Sequence, residues 1–99
     1  MDKKLSGLLG MAMRARKLSS GDSIWNDIRN RKAKLVIVAA DASENTRKKF
    51  SDKCNYYNID YDYVDCGLEL SIAIGKANCV AVAILDEGFA RSMKTYLKG

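Results

Sequence analysis

The residues best placed to do chemistry in this chain are three cysteines, a scatter of aspartates and a short turn of serines and glycine. Cys54, Cys66 and Cys79 stand 12 and 13 residues apart, and the 99 residues include no histidine. Zinc sites draw on closely spaced Cys and His, and no Cys-x-x-Cys pair occurs. Three small apolar side chains kept reduced are the expected reading, with a redox-active thiol at Cys66 as the weaker alternative. A hydrolytic nucleophile needs a base beside it and a third group to orient that base. The usual base is missing, and neither GxGxxG nor GxxxxGKS/T is present to cradle a nucleotide. Asp41 ends an apolar run where α/β enzymes often keep a catalytic group, but Ser43 and Asn45 beside it favour a cap or turn. Asp60, Asp62 and Asp65 lie along one extended stretch with no loop to converge them on a metal. No catalytic residue, metal or cofactor is expected.

The turn Ser19-Ser20-Gly21-Asp22-Ser23 offers different chemistry. Gly21 lets backbone approach closely, and the free N–H groups of a following helix start point at any arriving anion. Arg14, Arg16 and Lys17 precede the turn, and Arg31, Lys32 and Lys34 follow the helix. A phosphate there would gain from the helix dipole and from side-chain charge. The plainer alternative is a capped helix with solvated flanks. Net charge adds weight to the first reading. Residues 1–53 carry 13 Lys/Arg against 6 Asp/Glu, whereas residues 54–99 carry 4 against 6, and the whole chain is +5. Such asymmetry suits a polyanion, because each neutralised phosphate releases condensed counterions.

Positioning these residues requires a folded scaffold, and the hydropathy pattern supplies one. Leu5, Leu8, Leu9, Ala12 and Met13 recur at helical spacing over residues 3–14, and Arg16-Lys17-Leu18 reads as a short extended piece. A second helix runs through Ile24 and Ile28 to about Arg31. Residues 35–39 are continuously apolar and β-branched, which predicts a central strand covered on both faces. The Asp41-Ala42-Ser43 segment caps a helix over 43–57 whose inner face holds Thr46, Phe50, Cys54 and Tyr57. Ile59, Tyr61 and Tyr63 alternate with Asp60 and Asp62 as a half-buried strand. A short helix over 67–74 stops at Gly75. Residues 79–85 form another apolar strand. Asp86 caps a last helix that buries Phe89, Ala90, Met93 and Leu97. Strands alternating with helices predict one domain over residues 1–99, built as a three-layer α/β/α sandwich on a small mixed sheet of about four strands. With 47% hydrophobic residues the chain can fill such a core. No apolar stretch nears the roughly 20 residues of a membrane span, and the charged, interrupted N-terminus is not a signal peptide, so a cytoplasmic protein is expected.

The stretch from Ser20-Gly21-Asp22 to Arg31-Lys32-Ala33-Lys34-Leu35-Val36-Ile37-Val38-Ala39-Ala40-Asp41 resembles the L7Ae/L30e/S12e superfamily. Members read Gly-x-Asn-Glu-x-x-Lys, a short helix, Lys-Ala-Lys-Leu-Val, an apolar strand and Ala-x-Asp. Leu68-Glu69-Leu70 through Gly75 is similar to the family's next helix. Leu8-Leu9-Gly10-Met11-Ala12-Met13-Arg14-Ala15-Arg16-Lys17-Leu18 and Cys54-Asn55-Tyr56-Tyr57 look like its bacterial YlxQ branch. The resemblance spans nearly the whole chain in order. It implies an L30e-like fold and a non-catalytic, ribosome-associated or other structured-RNA role, in which the second helix enters the groove of a kink-turn at tandem sheared G·A pairs. It implies contacts from Ser20, Gly21, Asp22, Ser23 and Asn26, to which the basic flanks Arg16, Lys17, Arg31 and Lys32 would add phosphate contacts. A later loop, here Lys76, Ala77 and Asn78 with Cys79, would pack on an extruded base. RNA is the expected partner, with a ribosomal or protein partner left open. The chain departs from the family where bases are read: Asp22 replaces Asn, Ser23 replaces Glu and Asn26 replaces Lys. Asp22 cannot donate an amide N–H and adds negative charge. A protein-interaction module that kept the fold is the alternative. Trp25, next to these positions, is expected to pack internally, with base stacking as its second option.

Overall fold

The computed structural model describes residues 1–97. The elements are α1 (Lys3–Arg14), β1 (Leu18–Ser20), α2 (Ser23–Arg29), β2 (Leu35–Ala39), α3 (Glu44–Tyr56), β3 (Asp60–Val64), α4 (Gly67–Ile74), β4 (Ala81–Ile84) and α5 (Glu87–Leu97). The strands form one mixed sheet in the order β1-β4-β2-β3. β2 and β3 are parallel, as the crossover through α3 requires, and β4 is antiparallel to both its neighbours.

The apolar run of β2 divides between two cores. Leu35, Ile37 and Ala39 face Leu5 and Leu9 of α1, Leu70 of α4 and Met93 of α5. Val36 and Val38 point the other way, onto Ile24 and Ile28 of α2 and Phe50 and Cys54 of α3. Alternation of side chains along a strand thus turns five consecutive apolar residues into contacts for two helical layers. Each fully buried Val, Leu or Ile among them contributes about 1.5–3 kcal/mol. The three-layer α/β/α sandwich read from the sequence is the architecture found.

Helix ends differ from the sequence expectation. α1, α2 and α3 each close with a non-glycine residue in the left-handed region: Arg16 at φ 60°, Arg31 at 57° and Asn58 at 57°. The following N–H reaches back into the last turn, Lys17 to the Ala12 carbonyl at 2.8 Å, Lys32 to Asp27 at 2.9 Å and Ile59 to Cys54 at 2.8 Å. These are Schellman closures, usually built on glycine. Of the first four helices only α4 has one, Gly75 at φ 71°. Arg16 is therefore part of a turn and not the start of an extended piece. β1 begins at Leu18 and includes Ser19 and Ser20, which the sequence had suggested as turn. α2 stops at Arg29, short of Arg31, and β4 begins at Ala81. Cys79 stays in the preceding loop, where its N–H donates to Ser71 Oγ at 2.9 Å.

Two further expectations are corrected. Asp41 caps α4, not α3: its Oδ1 accepts the Gly67 N–H at 3.0 Å across 26 residues of chain. Ser43 serves α3 alone, accepting the Thr46 N–H at 3.2 Å. In β3, Tyr61 packs on the α2–α3 side but Tyr63 is exposed, because that cluster ends before its ring. Asp86 does cap α5, accepting the Phe89 N–H at 2.9 Å.

Cys54 and Cys79 are buried and Cys66 is half-buried, all as free thiols. Burial pushes the Cys54 thiol up to about 11 from its ordinary 9.0. A folded-state thiol that holds its proton longer than the unfolded one makes no difference below pH 9. As pH rises from 9 to 11 the unfolded thiol ionises first and stability falls. At 1.36 kcal/mol per pH unit, about 2–3 kcal/mol is lost over that window. Denaturant melts at pH 8 and pH 11 are expected to show a loss smaller by this amount in Cys54→Ala than in the native chain. A pH dependence identical in both would remove Cys54 as its source.

Candidate nucleic-acid interface

The turn from β1 into α2 is held by its own hydroxyl chemistry. Ser20 pairs with Val82 across the sheet, and Gly21, at φ +68°, turns the chain away from the strand. Ser23 Oγ then donates to the Ser20 carbonyl at 2.9 Å. Asp22 occupies the cap position of α2, yet its carboxylate bonds no helix N–H. α2 is only seven residues long. Its dipole is accordingly slight, and the Asp22 carboxylate at its start opposes an anion. Cationic side chains must carry any phosphate contact.

The facing wall is the α4–β4 loop. Lys76 N–H closes the last turn of α4 onto the Ser71 carbonyl at 3.1 Å, and Asn78 takes a left-handed φ of 56°. Ser71 Oγ grips Cys79 as described, and Ala39 N–H donates to the Val80 carbonyl at 2.8 Å. Gly67 passes so close that a Cβ placed on it would stand 2.5 Å from the Cys79 carbonyl oxygen. The loop is therefore pinned from β2, from the start of α4 and from its second turn. Burial raises the Cys79 thiol, and its S–H donates to the Ala81 carbonyl at 3.2 Å. This cysteine is a packing residue.

Between the two walls lies a cleft of about 430 Å³. Ser20, Gly21 and Asp22 line one side, Lys76, Ala77 and Asn78 the other, with Trp25, Phe50 and Val80 adding apolar surface. Segments more than fifty residues apart thus meet because β1 and β2 flank β4 in the sheet. Val80 is 44% exposed and was not singled out in the sequence. The sequence places it inside the 79–85 strand, and only the fold shows that β4 begins one residue later, at Ala81. Trp25 packs on Phe50, ring centroids 4.3 Å apart and planes 19° from parallel, and Lys49 Nζ lies 4.7 Å from its ring centroid. Packing is its main role, and part of its surface still lines the cleft.

The expected contact residues fall into separate groups. Ser20, Gly21, Asp22, Lys76, Ala77 and Asn78 converge on the cleft. Ser23 and Asn26 are exposed along α2 and do not line it. Arg16, Lys17, Arg31 and Lys32 gather at the other end of β4: Lys17 accepts the Leu85 N–H at 2.7 Å, and Lys34 N–H donates to Ile84 at 2.7 Å. At about 3.3 Å per strand residue, this basic end is roughly 13 Å from the cleft. The cleft holds one cation, Lys76, and one carboxylate, Asp22. Shape and hydrogen bonding reside in the cleft; charge resides beyond it. Among the described residues no three Cys, Asp or Glu side chains converge as metal ligands, and no helix is long and apolar enough to cross a membrane.

The family model of the ribosomal protein L7Ae/L30e/S12e/Gadd45 family matches residues 3–94, and the chain belongs to that family. Within it the chain falls in the YlxQ-like branch. RNA-binding protein YlxQ of Bacillus subtilis (strain 168) is 50% identical over 91 residues, which is 91% of each protein. RNA-binding protein YlxQ of Enterococcus faecium is 45% identical over 98 residues, covering 98% of this chain and 94% of that one. Among solved structures, a protein of unknown function from Bacillus halodurans C superposes with a TM-score of 0.93 at 35% identity, over 99% of this chain and 100% of that one. The Giardia lamblia 15.5kD RNA binding protein gives a TM-score of 0.78 at 15% identity, over 99% and 91%, a likeness of fold. Family membership agrees with the sequence reading of a non-catalytic chain.

Proposed function

We propose that the chain is a non-catalytic, cytoplasmic RNA-binding protein. Its cleft takes a sharply bent, structured RNA of kink-turn type, ribosomal RNA being one source. The observation that carries this reading is the convergence of Ser20, Gly21, Asp22 and Trp25 with residues 76–81 on one cleft. Its Ser20, Asp22 and Asn78 can hydrogen-bond base edges, while Ala77, Val80 and Trp25 give an unstacked base apolar surface. Proteins read RNA largely through such irregular, unpaired elements, because the major groove of a regular A-form helix is too narrow for side chains. Relatives at 45–50% identity that carry the name RNA-binding protein support it. The basic end at Arg16, Lys17, Arg31 and Lys32 adds phosphate affinity without sequence preference.

Filter binding against a kink-turn and a straight duplex of equal length, over a salt series, tests this reading. The bent RNA is expected to bind at least tenfold tighter, with the ratio surviving as salt weakens both complexes. Equal, weak binding to both overturns the bent-RNA assignment, and binding to neither overturns RNA recognition altogether.

A second reading, a protein-interaction module, draws on the outer face of α4. Leu68 and Ile72, one turn apart, are 68% and 71% exposed. Partners retained on the immobilised protein after ribonuclease treatment, and lost on Leu68→Ser with Ile72→Ser, would favour it.

A further inference from the structure

α3 carries a second line of surface chemistry that the cleft does not use. Lys49, Lys53, Tyr56 and Tyr57 follow at helical spacing beside the buried stripe of Phe50 and Cys54, so they share one face. That face opens onto α2 as two adjoining hollows. One of about 310 Å³ is lined by Trp25, Arg29, Lys49, Lys53 and Tyr57, and another of about 530 Å³ by Lys49, Lys53, Tyr56 and Tyr57 with Asp52. They share Lys49, Lys53 and Tyr57 and so form one groove. Trp25 lines both this groove and the cleft, which makes the two surfaces continuous.

The groove has the composition of a single-strand platform. Three cations face one carboxylate, and none of Arg29, Lys49 and Lys53 is ion-paired among the described residues. Tyr56 is 77% exposed, and its ring meets that of Tyr57 edge-on at 4.8 Å. An exposed tyrosine face beside lysines suits a base stacked on the ring with its phosphates held by ammonium groups. An acidic peptide would use the cations but gain little from the aromatic face.

We propose that the α2–α3 groove binds a single-stranded RNA segment that leaves the cleft past Trp25 and stacks on Tyr56. This proposal rests on the reading of the cleft as the site of a bent RNA. It extends the contact to unpaired nucleotides flanking that bend.

The test uses a kink-turn RNA alone and with an eight-nucleotide unpaired extension on either end. The proteins are the native chain and the double variant Lys53→Glu with Tyr56→Ala. Both side chains are exposed and neither makes a hydrogen bond or ion pair among the described residues, and circular dichroism confirms the variant's fold. One extension is expected to raise native-chain affinity about tenfold. In the variant that gain falls below about twofold while the unextended RNA binds as before. No gain from either extension, or a gain that survives in the variant, overturns the groove. If the unextended RNA fails to bind, the cleft reading fails, and the groove is judged with a free octaadenylate. That oligonucleotide is expected to quench the fluorescence of Trp25, the sole tryptophan, in the native chain and not in the variant. Absence of quenching, or binding of polyglutamate in preference to the octaadenylate, overturns the proposal.

Discussion

Gly67→Ala is expected to destabilise the protein by about 2 kcal/mol or more, although helix propensity alone would make it stabilising. Alanine exceeds glycine by up to about 1 kcal/mol within a helix. Here the added Cβ would stand 2.5 Å from the Cys79 carbonyl oxygen and 3.6 Å from Ala39 Cβ. The nearer atom belongs to backbone, so no rotamer change relieves the clash. Either α4 or the α4–β4 loop must shift. The Gly67 N–H bond to Asp41 resists the first movement, and the Ser71 and Ala39 bonds resist the second. Gly7→Ala in α1 is the control, because nothing lies within 4 Å of its Cβ and it should gain up to about 1 kcal/mol. At about 4–8 °C per kcal/mol for a domain this size, the two variants should melt on opposite sides of the native chain. Gly67→Ala should also weaken bent-RNA binding, because the displaced loop forms one wall of the cleft. A Gly67→Ala protein that melts at or above the native temperature would show that this approach is not tight.

The same glycine marks the limit of what local sequence reveals. β2 was legible because five apolar residues without alternation have only one economical placement, between two layers. α5 was legible because Asp86 and the Ala90–Met93 spacing agree. The left-handed Arg16 and Arg31 were not legible. Their conformation follows from helix closures that glycine usually serves, and nothing local distinguishes an arginine there from one in an extended segment. Asp41 was recognised as a cap, but of the wrong helix, since its partner lies 26 residues away and only the sheet brings them together. Val80 and the tight Gly67 contact escaped for the same reason. Each depends on where β4 lands beside β2.

Charge placement shows the same distinction in functional terms. A tally by sequence puts Arg16, Lys17, Arg31 and Lys32 around the turn at Gly21. In the fold β1 carries the first pair away from the turn and α2 carries the second pair away too, to the same far end of β4. On the proposed reading, the near-neutral cleft discriminates by shape, and nonspecific phosphate attraction is held at a distance. Loss of cleft shape and loss of charge should consequently leave different signatures in binding.

The charge signature is the second large effect expected. Arg16→Glu combined with Lys32→Glu lowers the charge of the basic end by four units and should weaken RNA binding about 30–100-fold near 0.1 M salt. If each side chain meets one phosphate, the slope of log affinity against log salt should fall by about two. Bent and straight RNAs should lose affinity in parallel, so the preference between them persists. Gly67→Ala is expected to do the reverse, eroding the preference while keeping the slope. Both charge-reversal sites are exposed, and glutamate, which like arginine carries a Cβ, meets a similar cost at the left-handed φ of residue 16. A glutamate near the C-terminus of α1 or α2 costs about 0.3–1 kcal/mol against the helix dipole, too little to unfold the domain. Arg16→Gln with Lys32→Gln separates loss of attraction from added repulsion and should give about half the effect in logarithmic terms. An unchanged salt slope in both pairs would move the phosphate-binding surface away from this end of the sheet.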